Sequence, residues 1–167
     1  MYIQTKHLEL KAIGSGDLPE LVELLTDEIV GKTYMVPSFA DRAQAEALAA
    51  RLAVLSEDPN RYVAGIFLEN RLIGMLNETE RQEDAVEVGY AIDSRYHGRG
   101  YGTEALTGAI EFFFAQGFRE VVAGAFEDNA ASLRIMEKSG MTRLEKEDTV
   151  TYRDQEHRCI YYAARKM

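Results

Sequence analysis

The stretch that decides the fold is Arg95-Tyr96-His97-Gly98-Arg99-Gly100-Tyr101-Gly102-Thr103. It lies between a strand-like run, Ala85–Ile92, and a run with helical spacing over residues 103–116. Glycines let the backbone approach a ligand, and a helix N-terminus offers unpaired N–H groups with a partial positive charge. From Ser94 to Thr103 there are two arginines and no acidic residue. The stretch predicts an anion-binding loop; a flexible turn with solvated arginines is the alternative.

Two common phosphate motifs fit this loop poorly. Gly100-x-Gly102-x-x-Ala105 formally satisfies the dinucleotide-binding pattern. A dinucleotide fold, however, has its first glycine at the tight turn that leaves its first strand, whereas here residues 93–97 intervene. A P-loop needs Gly-Lys-Ser/Thr after the glycines, and none follows. A nucleotide-binding protein therefore remains only an alternative.

Upstream of the loop, hydrophobic periodicity and capping residues predict strands and helices in alternation. These elements are a strand at 7–13, a helix after the cap Asp17 with Glu20 at the capping-box position, a helix starting between Ser38 and Asp41, and strands 62–68 and 71–76 joined by Glu69-Asn70. The linker between the two helices, residues 31–37, contains apolar side chains that cover a core edge or wall a substrate pocket.

Downstream of the loop, the same patterns predict one helix and three strands. They are a strand at 119–126, a helix from the cap Asn129 to Gly140, and strands near 142–153 and 157–165 that turn at Asp154-Gln155. Strands 85–92 and 119–126 are joined through a helix, so we expect them to run parallel. The fold class is α/β, with a mixed, mostly antiparallel sheet of six to seven strands and about four helices, in a single domain over 1–167.

Composition excludes several classes of protein. The chain has 167 residues and a formal net charge of −9, which argues against nucleic-acid binding. No apolar run reaches the roughly 20 residues that cross a bilayer, and the start lacks a signal-peptide pattern. Cys159 is the single cysteine and the three histidines are widely spaced, so we expect no disulfide and no metal site. We expect a soluble, cytoplasmic protein without membrane or nucleic-acid partners.

Two motifs resemble those of one enzyme family. His97-x-x-Gly100-x-Gly102 after strand 88–93, and Asn129-x-x-Ser132 followed by Glu137-Lys138-x-Gly140-Met141, resemble segments of the GNAT superfamily of acetyl-CoA-dependent N-acetyltransferases. The opening residues 5–17 resemble the branch that contains ribosomal-protein N-terminal acetyltransferases and spermidine acetyltransferases. The chain departs from the family at His97, at Met136, where many members have a tyrosine acid, and at Met141 in place of phenylalanine.

The resemblance implies acetyl-CoA as cosubstrate and gives its binding residues. These are the backbone of Tyr90, Ala91 and Ile92 for the pantetheine arm, the loop residues His97, Gly98, Arg99, Gly100, Tyr101, Gly102 and Thr103 for the pyrophosphate, and Asn129 beside the cofactor tail. Asn129 is equally a helix cap. Lys138 either lies in solvent or contacts the 3′-phosphate.

Two residues are candidates for the acid–base chemistry. Glu87 shares a strand with the apolar residues before the loop but points to the opposite face, so it is the candidate base. Ser132, or a water that it holds, is the candidate proton donor to the departing thiolate, because Met136 cannot donate. A solvated strand carboxylate and a structural helix serine are the alternatives.

The predicted function is direct acetyl transfer from acetyl-CoA to a primary amine. The acceptor stays open among protein N-termini, polyamines and other small amines, and a homodimer is possible. A non-catalytic acyl-CoA-binding module is the main alternative. The acidic segment Glu78–Asp84 is either a solvated hairpin loop or an attractant for a cationic substrate, and Cys159 is predicted to be a small buried residue.

Overall fold

The computed structural model describes residues 1–167, which form eight strands and five α-helices. In chain order they are β1 (Ile3–Gln4), β2 (Leu8–Lys11), α1 (Leu18–Thr26), α2 (Glu28–Gly31), α3 (Arg42–Glu57), β3 (Val63–Leu68), β4 (Arg71–Arg81), β5 (Ala85–Ile92), α4 (Tyr101–Ala115), β6 (Glu120–Phe126), α5 (Ala130–Lys138), β7 (Thr142–Tyr152) and β8 (Gln155–Arg165). Short 3₁₀ turns precede α1 and α4. No helix is long and apolar enough to cross a membrane.

All eight strands belong to one sheet, in the order β1-β2-β3-β4-β5-β6-β8-β7. Every neighbouring pair is antiparallel except β5 and β6, which are parallel because α4 carries the chain back between them. This confirms the predicted mixed α/β fold and the parallel pair. The structure adds β1 and α2, which span two and four residues and are too short to show a hydrophobic period.

Helices cover both faces of the sheet. On one face α4 packs on β5, and its Leu106 and Phe113 are fully buried in the larger core. On the other face α1 packs on β4 and α3 packs on β3, around Leu21 and Ala45. Gly108 of α4 lies so close to the β1–β2 turn that a Cβ there would be 2.8 Å from a methyl of Thr5. A side chain at this position would therefore separate α4 from the β1–β2 turn.

Three local predictions are wrong. The Asp17 carboxylate does not cap α1, and Glu20 closes no capping box: Asp17 instead accepts the Gly14 N–H at 2.8 Å, before the 3₁₀ turn. The β7–β8 turn has Arg153 and Asp154 at positive φ, one residue earlier than expected. A two-residue turn of this kind takes positive φ at both positions, which aspartate tolerates.

The acidic segment is also not a loop over its whole length. Strand β4 continues to Arg81, and the Glu78 side chain is only 7% exposed. Its carboxylate pairs with Arg81 at 2.7 Å and with Arg61 at 3.9 Å. Glu78 is therefore a structural acid, whereas Glu80, Glu83 and Asp84 are exposed and form no ion pair.

Candidate active site

The candidate site begins where β5 and β6 separate. Their parallel ladder runs only from Ala85↔Glu120 to Val88↔Ala123. Beyond it, β6 keeps pairing with β8, while residues 89–92 of β5 pair with β4 alone. The two strands therefore open a wedge in the middle of the sheet, where backbone groups of both strands lack a neighbour.

Backbone alternation shows which groups of β5 face the wedge. The Asp93 N–H donates to the Ile73 carbonyl of β4 at 2.7 Å. In an antiparallel pair, alternate residues bond to the same neighbour, so the peptide groups of Ala91 also point to β4. The peptide groups of Tyr90 and Ile92 point into the wedge. A second chain that entered the wedge would find strand-like donors and acceptors there.

His97 fixes the end of this strand. Its Nε2 lies 2.6 Å from the carbonyl oxygen of Ile92, one of the groups that face the wedge. The residue therefore bridges the strand and the glycine loop. Sequence analysis placed His97 at the cofactor site, but nothing in the sequence indicated this contact.

The glycine loop presents a run of free backbone donors. Gly98 and Gly100 have φ values of +74° and +85°, which side chains other than glycine rarely adopt, and nothing lies within 4 Å of where their Cβ atoms would be. None of the six amides from Gly98 to Thr103 has an acceptor within the protein. Because α4 begins at Tyr101, these amides surround a helix N-terminus. Such an arrangement is a built anion site.

A cavity of about 350 Å³ lies over these amides and is called the loop cavity. Its walls come from the loop and from one side of α5, including Ala131, Arg134 and Lys138. The two cations are one helical turn apart and share a face of α5. Neither has a carboxylate within 4 Å. Arg134 was missed by the sequence analysis, although the i, i+4 spacing with Lys138 was a usable signal.

The sequence predicts a positive loop from its two arginines, Arg95 and Arg99, and only Arg99 fits this prediction. The Arg95 guanidinium pairs with Asp93 at 2.6 Å and with Glu23 at 2.8 Å, so its charge is neutralised. Its hydrogen bonds hold the pKa of the Asp93 carboxyl below the ordinary value. Arg99 is the loop cation without a carboxylate partner. The positive field over the loop therefore comes from Arg99 together with α5.

A second cavity of about 130 Å³, the wedge cavity, adjoins the loop cavity. Asn129 caps α5 by accepting the Ser132 N–H at 3.2 Å. The Ser132 Oγ lies 2.8 Å from the Tyr90 hydroxyl, and both residues line the cavity. Burial raises the pKa of Tyr90 to about 12, although the bond to Ser132 opposes this. Met136 is fully buried in the core and contributes no polar group.

Glu87 lines a third cavity, of about 200 Å³, which adjoins the wedge cavity along β5. Its two oxygens lie 3.2 Å from the Thr79 hydroxyl and 3.8 Å from the Lys146 ammonium. The Glu87 cavity and the wedge cavity share a wall that includes Tyr34 and Gly89. The structure thus places Glu87 and Ser132 in separate but adjoining cavities.

Tyr34, Tyr161 and Cys159 also line the Glu87 cavity, and of these the sequence indicated only Tyr34, through the pocket alternative for the linker 31–37. The Tyr34 hydroxyl donates to Asn77 Oδ1 at 2.5 Å, and burial raises the Tyr34 pKa to about 12. The Tyr161 hydroxyl donates to Asp148 at 2.9 Å; burial, then that carboxylate, raises the Tyr161 pKa. Cys159 is buried as predicted, and burial raises the pKa of its thiol. The cavity therefore combines a carboxylate with neutral hydroxyl groups.

Asp27 supports the site from α2. Its carboxylate accepts the backbone N–H groups of Ile29 and Val30 and the hydroxyl and N–H of Ser94, which begins the turn before the loop. Burial of Asp27 opposes ionisation, but these hydrogen bonds outweigh it and lower the pKa of the carboxyl. Asp27 therefore joins the helix beside the wedge to the glycine loop.

Replacing Asp27 with alanine is expected to lower the free energy of unfolding by about 1 kcal/mol at pH 7, as for other helix caps. A lowered pKa means that the ionised carboxylate stabilises the fold above the ordinary value of 3.8 and stops doing so as the pH falls below it. The stability difference between wild type and variant should thus shrink in acid. Urea unfolding at pH 7 and at a pH below 3.8 measures this difference. Asp84→Ala, which removes an exposed carboxylate, is the control. A stability difference that does not depend on pH would contradict the assignment.

The mixed sheet, whose parallel pair opens beside a loop of free amides, offers strand-like partners and an anion site to one extended ligand. Residues 7–142 match the family described as Acetyltransferase (GNAT) domain, so the chain belongs to the GNAT acetyltransferase family, whose chemistry is acetyl transfer from acetyl-CoA. The chain is 30% identical over 90 residues to the probable N-acetyltransferase YjcK of Bacillus subtilis, and that match spans 50% of each chain.

Solved structures share the fold over nearly the whole chain. A GNAT-family acetyltransferase from Bacillus anthracis superposes with a TM-score of 0.84 at 21% identity, over 99% of this chain and 98% of that one. RimL, a ribosomal L7/L12 alpha-N-protein acetyltransferase in complex with coenzyme A, gives 0.83 at 20% identity with the same coverage. The family resemblance seen in the sequence is confirmed.

Proposed function

We propose that the chain transfers an acetyl group directly from acetyl-CoA to a primary amine. The observation that carries this proposal is the continuity of two features: the wedge between β5 and β6 leads straight into the six free amides of Gly98–Thr103. A pantetheine arm needs strand-like partners, and a pyrophosphate needs convergent N–H donors. This chain offers both in the order in which acetyl-CoA presents them.

The residues present fit the groups of acetyl-CoA. Tyr90 and Ile92 would pair with the pantetheine amides through their backbone, and Ala91 would only space them. The amides from Gly98 to Thr103 would hold the pyrophosphate, with His97 ordering the strand end and Asn129 beside the arm. Arg99, Arg134 and Lys138 would neutralise phosphate charge. When bound, the cosubstrate supplies an activated acetyl thioester.

Ser132 is the proposed proton donor to the departing sulfur. Its Oγ lies in the wedge cavity, beside the strand groups that would hold the pantetheine arm. Tyr90, which keeps its proton at neutral pH, holds that oxygen through a 2.8 Å hydrogen bond. As Ser132 gives its proton to the sulfur, Tyr90 passes its phenolic proton to the serine oxygen along this hydrogen bond, and the resulting phenolate recovers a proton from solvent.

Glu87 is the proposed base that accepts a proton from the amine, directly or through water. An amine must be neutral to attack, and a lysine-like amine with pKa about 10.4 is neutral in only about 1 molecule in 2,500 at pH 7. An α-amine with pKa about 7.7–8.0 is neutral in about one in six to one in eleven. A base therefore contributes most for side-chain amines and polyamines.

Glu87→Gln should lower kcat/KM for a lysine-like amine about tenfold or more at pH 7. The loss should be smaller for a peptide α-amine, and the rate should recover as the pH approaches the pKa of the amine. Initial rates from pH 6 to 10, on about ten points, measure this for both amines. Glu83→Gln changes an exposed carboxylate nearby and serves as the control. Superimposable pH profiles for wild type and Glu87→Gln would remove Glu87 from the mechanism.

A panel of amines with acetyl-CoA, scored by release of free thiol, tests the proposed function. Peptides with free N-termini, spermidine, free amino acids and an aminoglycoside cover the acceptors left open. Amine-dependent thiol release is the expected result. Tight binding of acetyl-CoA without release would favour a non-catalytic acyl-CoA-binding module. Thermal stabilisation by NAD or ATP but not by acetyl-CoA would favour a nucleotide-binding protein.

We further propose that the enzyme acts in the cytoplasm, on a small-molecule or peptide amine, without nucleic-acid or membrane partners. Its net charge of −9 disfavours polyanionic surfaces and suits a cationic acceptor. Its single buried thiol is compatible with a reducing compartment. A homodimer is a possible assembly, which sedimentation would establish.

A further inference from the structure

The β7–β8 hairpin holds the segment that walls the Glu87 cavity. The linker between α2 and α3, residues 32–41, contains no helix or strand. The Tyr152 hydroxyl at the end of β7 donates to the Gly31 carbonyl at 2.6 Å. It lies 3.3 Å from the Tyr34 carbonyl and accepts the Val36 N–H at 3.4 Å. One phenol thus contacts three backbone groups on both sides of the cavity-lining residues.

The ring of Tyr152 is itself held by the sheet. Its centroid lies 6.0 Å from that of Phe126 on β6 and 6.2 Å from that of His157 on β8. The neighbouring Arg153 guanidinium lies against Gly31, where a Cβ would be 2.5 Å from Nη2. The Tyr152 ring therefore packs on the sheet, whereas residues 32–41 have no helix or strand, so the linker is the part expected to move if the contact were lost.

The linker is attached to the sheet at a second point. The Tyr34 hydroxyl bonds to Asn77 of β4, so the Tyr34 side chain forms the wall between the wedge cavity and the Glu87 cavity. Met35, 56% exposed, lines the Glu87 cavity beside it. The side-chain bond fixes the tip of Tyr34, whereas Tyr152 fixes its backbone. Both are needed to define the shape of the wall.

We propose that Tyr152 is a positioning residue for the amine acceptor: its hydroxyl holds the linker in the conformation that shapes the Glu87 cavity. This rests on the proposed function insofar as the Glu87 cavity receives the amine. The loop cavity is lined by other elements, the α4 N-terminus and α5. The linker residue Tyr34 also walls the wedge cavity, but the loop cavity, which would hold the phosphates of acetyl-CoA, contains no linker residue. Loss of the Tyr152 hydroxyl should therefore affect the amine more than acetyl-CoA.

Tyr152→Phe tests the proposal because it removes one hydroxyl and keeps the ring. The Val36 amide should exchange its hydrogen about tenfold faster, since it loses its acceptor, while the amides of 98–103 keep their rates. The KM for a peptide with a free N-terminal serine, or for spermidine, should rise about five- to tenfold. The KM for acetyl-CoA should change less than about twofold. Tyr2→Phe, which removes a hydroxyl bonded to Glu9 at 2.9 Å near the far edge of the sheet, is the matched control.

Unchanged exchange at Val36 would overturn the proposal, as would faster exchange with an unchanged KM for the amine. A parallel rise in both KM values would show a merely structural role and would also overturn it. Exchange is measured without substrate, so failure of the proposed function, seen as no acetylation by wild type, is distinguishable from failure of the Tyr152 contact. Arg153→Ala, which removes the guanidinium from Gly31 and keeps Tyr152, should give a smaller increase in exchange over residues 31–36.

Discussion

Replacing Ser132 with alanine is expected to lower kcat about 100-fold while the KM for acetyl-CoA stays within about twofold. The physical reason is the departing thiolate, which must be protonated or solvated as the bond to the acetyl group breaks. In the wedge cavity the Ser132 hydroxyl is bonded to the Tyr90 phenol, and the residue at the usual tyrosine position, Met136, is buried and apolar. Steady-state kinetics with acetyl-CoA and the best amine of the panel measure both constants.

Two variants make this result specific. Ser139→Ala removes a hydroxyl at the opposite end of α5, where it bonds to the Ile135 carbonyl at 2.8 Å, so its kcat should match wild type. Tyr90→Phe should lower kcat less than Ser132→Ala, and the double variant should be no slower than Ser132→Ala alone, because the phenol acts through the serine. Full activity of Ser132→Ala across the pH range would exclude Ser132 as the donor.

Reversing both cations of the loop cavity, Arg134→Glu with Lys138→Glu, is expected to weaken acetyl-CoA binding about 100-fold or more. The two side chains lie on one face of α5 and have no carboxylate partners, so they remain available to phosphate groups. Replacing them adds repulsion as well as removing attraction. Titration calorimetry gives the dissociation constant, and the loss should be smaller at high salt because the interaction is exposed.

The control is a variant with the same change in net charge elsewhere. Arg51→Glu with Arg71→Glu also reverses two exposed positive charges. Arg51 lies on α3 and Arg71 begins β4, and neither lines the loop cavity. Its affinity for acetyl-CoA should remain near that of wild type. Equal losses in both double variants would mean that overall charge, not the loop cavity, governs binding.

The fold was predictable because each main element has a local signal. The strand–loop–helix unit around the glycines is encoded by alternation before Ile92 and by helical spacing after Thr103, and the structure has both elements there. The hairpin at Glu69-Asn70 takes the positive φ values that its residues favour. The added elements, β1 and α2, depend on pairing and capping partners rather than on periodicity.

The candidate site was predictable only where it is made of backbone. The glycines and the strand edge follow from local sequence, because φ and strand direction are local properties. The charge distribution did not follow, since Arg95 finds its second carboxylate, Glu23, 72 residues away. The contact of Tyr152 with residues 31–36 likewise joins parts of the chain more than 100 residues apart. Contacts of this kind are set by packing and leave no periodic signal.

Mass spectrometry of the amine and of the protein in one reaction tests direct acetyl transfer most plainly. Purified chain, acetyl-CoA and the best amine of the panel are incubated together, and acetylated amine, free coenzyme A and intact protein mass are followed over time. Direct transfer predicts one acetylated amine for each coenzyme A released and no change in the mass of the protein. Release of coenzyme A without acetylated amine, or accumulation of an acetylated protein that passes its group on, would contradict the account.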